Sequence, residues 1–286
     1  MSTYNDKSYN YSGYASDRPT YNSELPSFLL KFHDSIPTNK REKVLDVATG
    51  TGIFARLISG YFESTVATDI SEKMLNVADQ PPTGKIDYLV CGAEDMSMFS
   101  DNSFDMITVA TGAHWFKPIE FLKESKRVLK PNGTLAIFGY PGFGHFPKNP
   151  KCDTVLRELG MDKLGDYWDK GRNSLERFYS NYNILTREFG FNDVYHGVYP
   201  QEALNYSGCD SVAMPGPSVI NTQMTWSSLL KFLKTFSSLN NYHLEFPDEK
   251  NAALVAVEKM MLLSGDTDFD TRIEFLWEQG IILCRA

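Results

Sequence analysis

Basic residues are in short supply in this sequence: 28 Lys and Arg stand against 36 Asp and Glu, a formal net charge of −8 over 286 residues. A chain this acidic, with a pI near 5.2, lacks the basic face that nucleic acid or an anionic membrane requires, so neither partner is expected. Apolar runs are short as well. None reaches the ~20 residues of a membrane-spanning helix. The stretch MSTYNDKSYNYSGY carries no secretory apolar segment, and a cytoplasmic location is expected. Cysteines are few and scattered. Cys91, Cys152, Cys209 and Cys284 show neither C-x-x-C nor metal-ligand spacing, which points to reduced thiols and no zinc site. Hydrophobic residues still make up 42%, enough for the core of one large domain. A monomer is the expected state.

Along the chain, strand and helix patterns alternate. KVLDVA reads as a first strand, followed by a glycine turn and the helix IFARLISGYF. STVATD is a second strand and SEKMLNVAD a helix with Ser71 as its N-cap. IDYLVC and FDMITVA follow as strands. PIEFLKESKRVL is a helix stopped by Lys130-Pro131-Asn132-Gly133, and TLAIFGY is strand five. Such alternation predicts a mostly parallel sheet with helices on both faces. Beyond Pro141 the pattern loosens. Helical pieces are expected around VLRELG, LERFYSNY, TWSSLLKFLKTFSSL and AALVAVEKMMLL, with strands at NDVYHGVYP and RIEFLWEQGIILCR. The expected organisation is a single domain: a lid segment over 1–38, a core over 39–140, cap insertions over 141–190 and 200–272, and a closing strand over 273–286. The cap covers the carboxyl edge of the sheet, where open α/β folds bind ligands.

The stretch KVLDVATGTGIFARL, residues 43–57, carries the sharpest signal. Gly50-x-Gly52-x-x-Ala55 fits a dinucleotide fingerprint. Three readings compete: a turn whose glycines serve backbone geometry alone, a pyrophosphate site for NAD at a helix N-terminus, and a site for S-adenosylmethionine (SAM), which carries an ammonium and a sulfonium but no phosphate. Asp46 separates the last two. Beside the ligand its charge would repel a pyrophosphate and favour a cation, each by roughly 4 kcal/mol at about 4 Å and an effective dielectric near 20. Asp69 ends strand two, where a carboxylate can accept from both ribose hydroxyls of either nucleotide. The charge argument selects SAM.

VLDVATGTG, ATDIS, CGAEDMSMFSDNSFDMITVATGAHWF and VLKPNGTLAIFGY together resemble, in order and spacing, the motif set of class I SAM-dependent methyltransferases over residues 44–140. The resemblance implies a Rossmann-like α/β fold with a mostly parallel seven-stranded sheet and a helical cap. It also implies SAM as cofactor, held by Asp46, Ala48, Gly50, Gly52, Asp69, Ile70, Ala93, Glu94 and Thr111. Ala48 stands where the family usually has glycine. Within the class, YASDRPTY (14–21), GAHWF (112–116) and the carboxyl-terminal RIEFLWEQGIILCR resemble fungal trans-aconitate methyltransferases and their cantharidin-resistance relatives. Such enzymes methylate a carboxylate of a small acid or a closely related group.

Each further candidate has a plain alternative. Arg18 could sit in solvent, as most arginines do; the resemblance makes it a fork on the methionine carboxylate, with Tyr14 and Tyr21 walling the same pocket. His114 and Trp115 follow strand four and could be rim packing. Their position favours substrate contact or shaping of the sulfonium pocket over a basic role, and they are the catalytic candidates. Lys163, Lys170, Arg172 and Arg177 could form a solvated face; Arg172 is the best single candidate for an anionic substrate. Trp168, Phe143 and Tyr140 could close its pocket, whereas Trp226, Phe232 and Phe236 fall at helical spacing and read as core. An ionised carboxylate needs no base, so the missing base pair and metal cluster fit carboxyl methylation, with the enzyme supplying alignment. The rivals are methylation of another small molecule or a lipid-like acid, for which lysine-poor, apolar cap walls would speak, and a SAM-binding regulator without turnover.

Overall fold

The computed structural model describes residues 20–141, 143–168, 171–200, 210–214, 220 and 223–286. Its centre is an eight-stranded sheet in the order β3-β2-β1-β4-β5-β12-β7-β8. Strands β1 (Lys43–Val47), β2 (Ser64–Asp69), β3 (Ile86–Val90), β4 (Phe104–Ala110) and β5 (Leu129–Gly139) run parallel. β12 (Gln279–Arg285) inserts antiparallel between β5 and β7 (Asn192–Tyr199). This is the Rossmann-like arrangement expected. The eighth strand, β8 (Val212–Ala213), is a two-residue edge beyond the seven anticipated.

The central strands are apolar on both faces because helices cover both. Alternate residues of β1 divide accordingly. Leu45 and Val47 join Phe121, Leu122, Tyr179 and Tyr182 in one layer, while Val44 joins Leu25, Leu29, Phe54 and Phe138 in the other. That second layer corrects part of the expected lid. Helix α1 (Glu24–His33) buries Leu25, Leu29 and Leu30 against the sheet, and buried His33 bonds Thr134 Oγ1 at 2.8 Å through Nδ1. It is a core helix. Helix α2 (Ile53–Ile58) follows the glycine turn. In α3 (Glu72–Asn76) the Ser71 hydroxyl accepts from Met74 N–H, the N-cap read from the sequence.

Helix α4 (Pro118–Val128) passes straight into β5, so Lys130–Gly133 lies inside the strand as a register shift instead of a separate turn. The cap holds β6 (Gly144–His145), α5 (Pro150–Arg157), α6 (Arg172–Glu176), α7 (Ser180–Glu188), β9 (Gln223–Thr225), α8 (Trp226–Leu233), α9 (Ser237–Glu245) and α10 (Ala252–Ser264). The expected closing strand splits in three: β10 (Arg272–Glu274) pairs with β9 and β11 (Leu276–Trp277) with β6, leaving only β12 for the main sheet. Pairing in two small cap sheets therefore precedes entry into the core. The cap has its own core, in which Trp226, Phe232 and Phe236 are buried as anticipated. Cys91, Cys152 and Cys284 form no disulfide; Cys209 lies outside the described residues. Among the described residues there is no His/Cys/Asp/Glu cluster able to hold a metal and no helix long and apolar enough to cross a membrane.

Candidate active site

The turn after β1 is built on three left-handed residues, Ala48 (φ 54°), Gly50 (φ 58°) and Gly52 (φ 76°). For alanine that conformation costs about 1–2 kcal/mol. The seat opposite explains how it is kept: a Cβ added to Gly112 would lie 2.8 Å from the Ala48 methyl, so glycine at 112 makes room for alanine at 48. The two glycines differ. A Cβ at Gly52 would stand 2.3 Å from the Tyr88 hydroxyl, whereas one at Gly50 would meet nothing within 4 Å. Gly52 is required by packing, and Gly50 opens onto space.

Asp46 corrects the charge argument. Its side chain is only 1% exposed, with Oδ2 accepting from Thr49 Oγ1 and Oδ1 from Thr108 Oγ1, both at 2.6 Å. Burial pushes its carboxyl up to about 6, against the lowering effect of the two hydroxyls. It is therefore enclosed beneath the turn, tying it to β4, and is not displayed to a ligand. Asp69 lies closer to the surface. Oδ2 accepts from Gly50 N–H at 2.9 Å and Oδ1 from Ser71 N–H at 2.8 Å. Burial raises its carboxyl too, opposed by those backbone donors. A carboxylate has about four acceptor positions, so it keeps capacity for a further donor, as a diol would offer.

Beside Asp69, the apolar side chain of Ile70 is 63% exposed. It borders Gly92, whose added Cβ would sit 3.7 Å from Ile70 Cγ2 and 3.9 Å from Glu94 Oε2. Ala93 is buried, and Glu94 Oε1 accepts the Lys117 N–H at 2.9 Å at the start of α4. The Glu94 side chain thus ties this loop to a helix N-terminus. Thr111 (φ 54°) donates its N–H to Phe138 O at 2.7 Å, and its hydroxyl lies 3.0 Å from the Tyr21 hydroxyl. Tyr21 packs edge-on against Phe54 and Phe138. Open space at Gly50, a carboxylate with acceptor capacity and an uncovered apolar shelf at Ile70 together fit an adenosine-bearing cofactor. Tyr14 and Arg18 lie outside the described residues, as does Lys170.

His114 and Trp115 occupy a short turn, Ala113–Trp115, gripped by the cap. The Tyr182 hydroxyl donates to Ala113 O at 2.8 Å, the fully buried Tyr179 hydroxyl lies 3.3 Å from His114 Nδ1, and a Cβ on Gly171 would fall 2.0 Å from His114 O. That seat at Gly171 brings the next residue, Arg172, to the same region. Arg172 Nε donates to Glu176 Oε1 at 2.6 Å, and its guanidinium lies over the Trp168 ring at 3.5 Å and the Phe143 ring at 4.9 Å. Its Nη2 is buried without a hydrogen-bond partner. Burial lowers its proton affinity, against the raising effect of Glu176. An orphaned charged donor in such a setting is costly and suits an incoming anion. Trp168 is held by Nε1–H donation to Gly160 O at 2.8 Å. Lys163 pairs with Glu249 and Arg177 is exposed, so neither is a buried, unpartnered cation like Arg172.

Thr49, Thr108, Gly112, Gly171, Tyr179 and Tyr182 were missed by the sequence reading. Gly171 beside the candidate Arg172 was the available signal; the tyrosines look like core until the break at Phe178 (φ 50°) and Tyr179 (φ 60°) splits the expected helix.

Residues 45–137 match the family model described as a methyltransferase domain. A protein of Dictyostelium discoideum assigned as a methyltransferase is 33% identical over 167 residues, 58% of this chain and 60% of its own length. CRG1 of Saccharomyces cerevisiae, assigned as an S-adenosylmethionine-dependent methyltransferase, is 24% identical over 99% of this chain and 98% of its own. A structure assigned as a type II methyltransferase from Anaeromyxobacter dehalogenans superposes with a TM-score of 0.68 at 21% identity, covering 94% of this chain and 97% of the other, a likeness of fold. Residues 45–137 carry a methyltransferase domain, and the whole chain is similar to S-adenosylmethionine-dependent methyltransferases, whose methyl donor is SAM.

Proposed function

We propose that the chain transfers a methyl group from SAM to a carboxylate of a small organic acid, giving a methyl ester and S-adenosylhomocysteine (SAH). The trans-aconitate implied by the family resemblance is the reference member of that class. The observation that carries this reading is the buried, unpartnered Nη2 of Arg172, beside the residue seated on the His114 carbonyl. When bound, the cofactor supplies an electrophilic methyl on a sulfonium. Asp69 would accept from the ribose hydroxyls, Ile70 and Ala93 would flank the adenine, and Glu94 would keep that loop in place. Asp46 and Thr111 would shape the turn, and Gly50 would admit the cofactor. Arg18 and Tyr14 are proposed at the methionine end.

Arg172 would hold the acceptor oxygen, with Trp168 and Tyr21 as walls and His114 and Trp115 bordering the reacting oxygen. A carboxylate is already ionised at neutral pH, so the task is orientation and exclusion of water. The experiment is radiolabelled methyl transfer to a panel of small acids followed by alkali. Label released as methanol is expected. Label that stays on nitrogen or carbon would remove the carboxyl assignment while leaving the methyltransferase intact.

A further inference from the structure

Between α6 and α7 the backbone takes a form that L-residues avoid. Phe178 (φ 50°) and Tyr179 (φ 60°) are consecutive, bulky and left-handed, each at a cost of about 1–3 kcal/mol. Both are buried. A Cβ on Gly280 of β12 would lie 2.4 Å from Phe178 Cβ, so the strand leaves a seat for Phe178, and His196 Nε2 donates to Phe178 O at 2.8 Å. The Tyr179 ring crosses the end of β5, where a Cβ on Gly139 would lie 3.0 Å from its hydroxyl. Strain of this size persists where the surroundings over-determine it, and here it aims one phenol at the turn after β4.

At that turn His114 Nδ1, at 3.3 Å, is the one hydrogen-bond partner of the Tyr179 hydroxyl among the described residues. Burial decides which atom donates. A ring N–H given to the phenol oxygen would leave the phenol's own hydrogen shut away without an acceptor, at about 1–3 kcal/mol. Burial also pushes the phenol well above its ordinary range, so the hydrogen stays on oxygen. Donation therefore runs from Tyr179 O–H to Nδ1, and the imidazole is neutral with its hydrogen on Nε2. Resting on the reading that His114 borders the reacting oxygen, we infer that Tyr179 is a positioning residue for methyl transfer, which fixes His114 as an Nε2–H donor and withholds it from service as a base. Transfer to an ionised carboxylate frees no proton, so a donor serves there and a base does not.

The imidazole can be read directly. Long-range proton–nitrogen correlation spectra of the SAH-saturated protein, with His114 assigned by its loss in His114→Asn, should show Nδ1 unprotonated and Nε2 protonated. In Tyr179→Phe, which keeps the ring and loses the hydroxyl, the Nδ1 resonance should move downfield as the donated hydrogen bond goes. Tyr182→Phe takes another buried hydroxyl from the neighbouring Ala113 carbonyl and should leave that resonance in place, which separates positioning from a general loosening of the turn. SAH affinity within about twofold of wild type shows that each variant is folded. Labelled transfer to trans-aconitate by Tyr179→Phe should then show kcat about tenfold lower with KM little changed. Protonated Nδ1 in the wild type, or an Nδ1 resonance unmoved in Tyr179→Phe, would overturn the inference and leave the carboxylate reading as it stands. Unchanged kcat in a variant whose Nδ1 has moved would overturn it as well. Wild-type protein that forms no ester on trans-aconitate removes the carboxylate reading for that acid, and the Nδ1 result, obtained without any acid, still decides the inference.

Discussion

The core that ends at Gly139 and the cap above it each keep charged side chains from water, by opposite means. In the core, the carboxylates of Asp46 and Asp69 are met by hydroxyls and backbone N–H groups, so each negative charge has its donors before any ligand arrives. In the cap, Arg172 lies over the Trp168 ring and near the Phe143 ring and has one carboxylate partner, with Nη2 left over. The core site is complete in its internal bonding and offers spare lone pairs; the cap site is incomplete and wants an acceptor. The two regions therefore respond differently to substitution.

The largest effect is expected at Arg172. Arg172→Ala removes the only described guanidinium in the pocket, and kcat/KM for the acid should fall by about 100-fold, chiefly through KM, as the loss of one buried charged hydrogen bond implies. SAH affinity should stay near wild type in equilibrium titrations. A parallel loss for both ligands would merge the two regions into one site. Next come the two glycines, which sharpen the contrast inside the core. Gly52→Ala drives a methyl into the Tyr88 hydroxyl and should destabilise the fold by roughly 2–3 kcal/mol, read from urea denaturation. Gly50→Ala meets open space, so stability should fall by about 1 kcal/mol from backbone strain alone. Its SAM affinity should nevertheless drop at least tenfold, because the proposed site puts the cofactor in that space. If both variants lose stability equally and Gly50→Ala binds SAM normally, Gly50 has no role at the ligand.

Asp46 gives the most specific effect, confined to one pH window. Its carboxyl is raised from the ordinary 3.8 to about 6 in the folded protein, so between those values the folded state holds more protons than the unfolded one. Its contribution is fully present below pH 3.8 and lost as pH rises through 6. Asp46→Asn should flatten that part of the stability profile, by up to roughly 3 kcal/mol. Parallel wild-type and variant profiles between pH 4 and 7 would contradict the buried assignment.

How much of this was legible follows from how local each feature is. The strands of the core and the Ser71 cap are written in runs of a few residues, and the turn glycines lie next to the strand they serve. Those features were readable. The role of Asp46 was not, because Thr108 lies 62 positions away and brings β4 against β1 only in the folded sheet. Glu94 was unreadable for the same reason, since it is satisfied by Lys117 across a loop and a turn. The cap resisted more. RIEFLWEQGIILCR reads as one strand, yet its first half finds antiparallel partners in β9 and β6 before the main sheet is reached. Arg172 could be picked out by residue type. Its value rests on Phe143 and Trp168, one beyond the end of β5 and the other past a turn of irregular helix.

A crossed titration bears most directly on the separation of the two sites. SAH and trans-aconitate are each titrated into Asp69→Ala and Arg172→Met, the trans-aconitate series with SAH at saturation for each variant. SAH should weaken about tenfold or more in Asp69→Ala alone, and trans-aconitate by a similar factor in Arg172→Met alone, consistent with the loss of one or two ligand hydrogen bonds apiece. The opposite pairing, or SAH binding untouched by loss of the Asp69 carboxylate, would contradict the account.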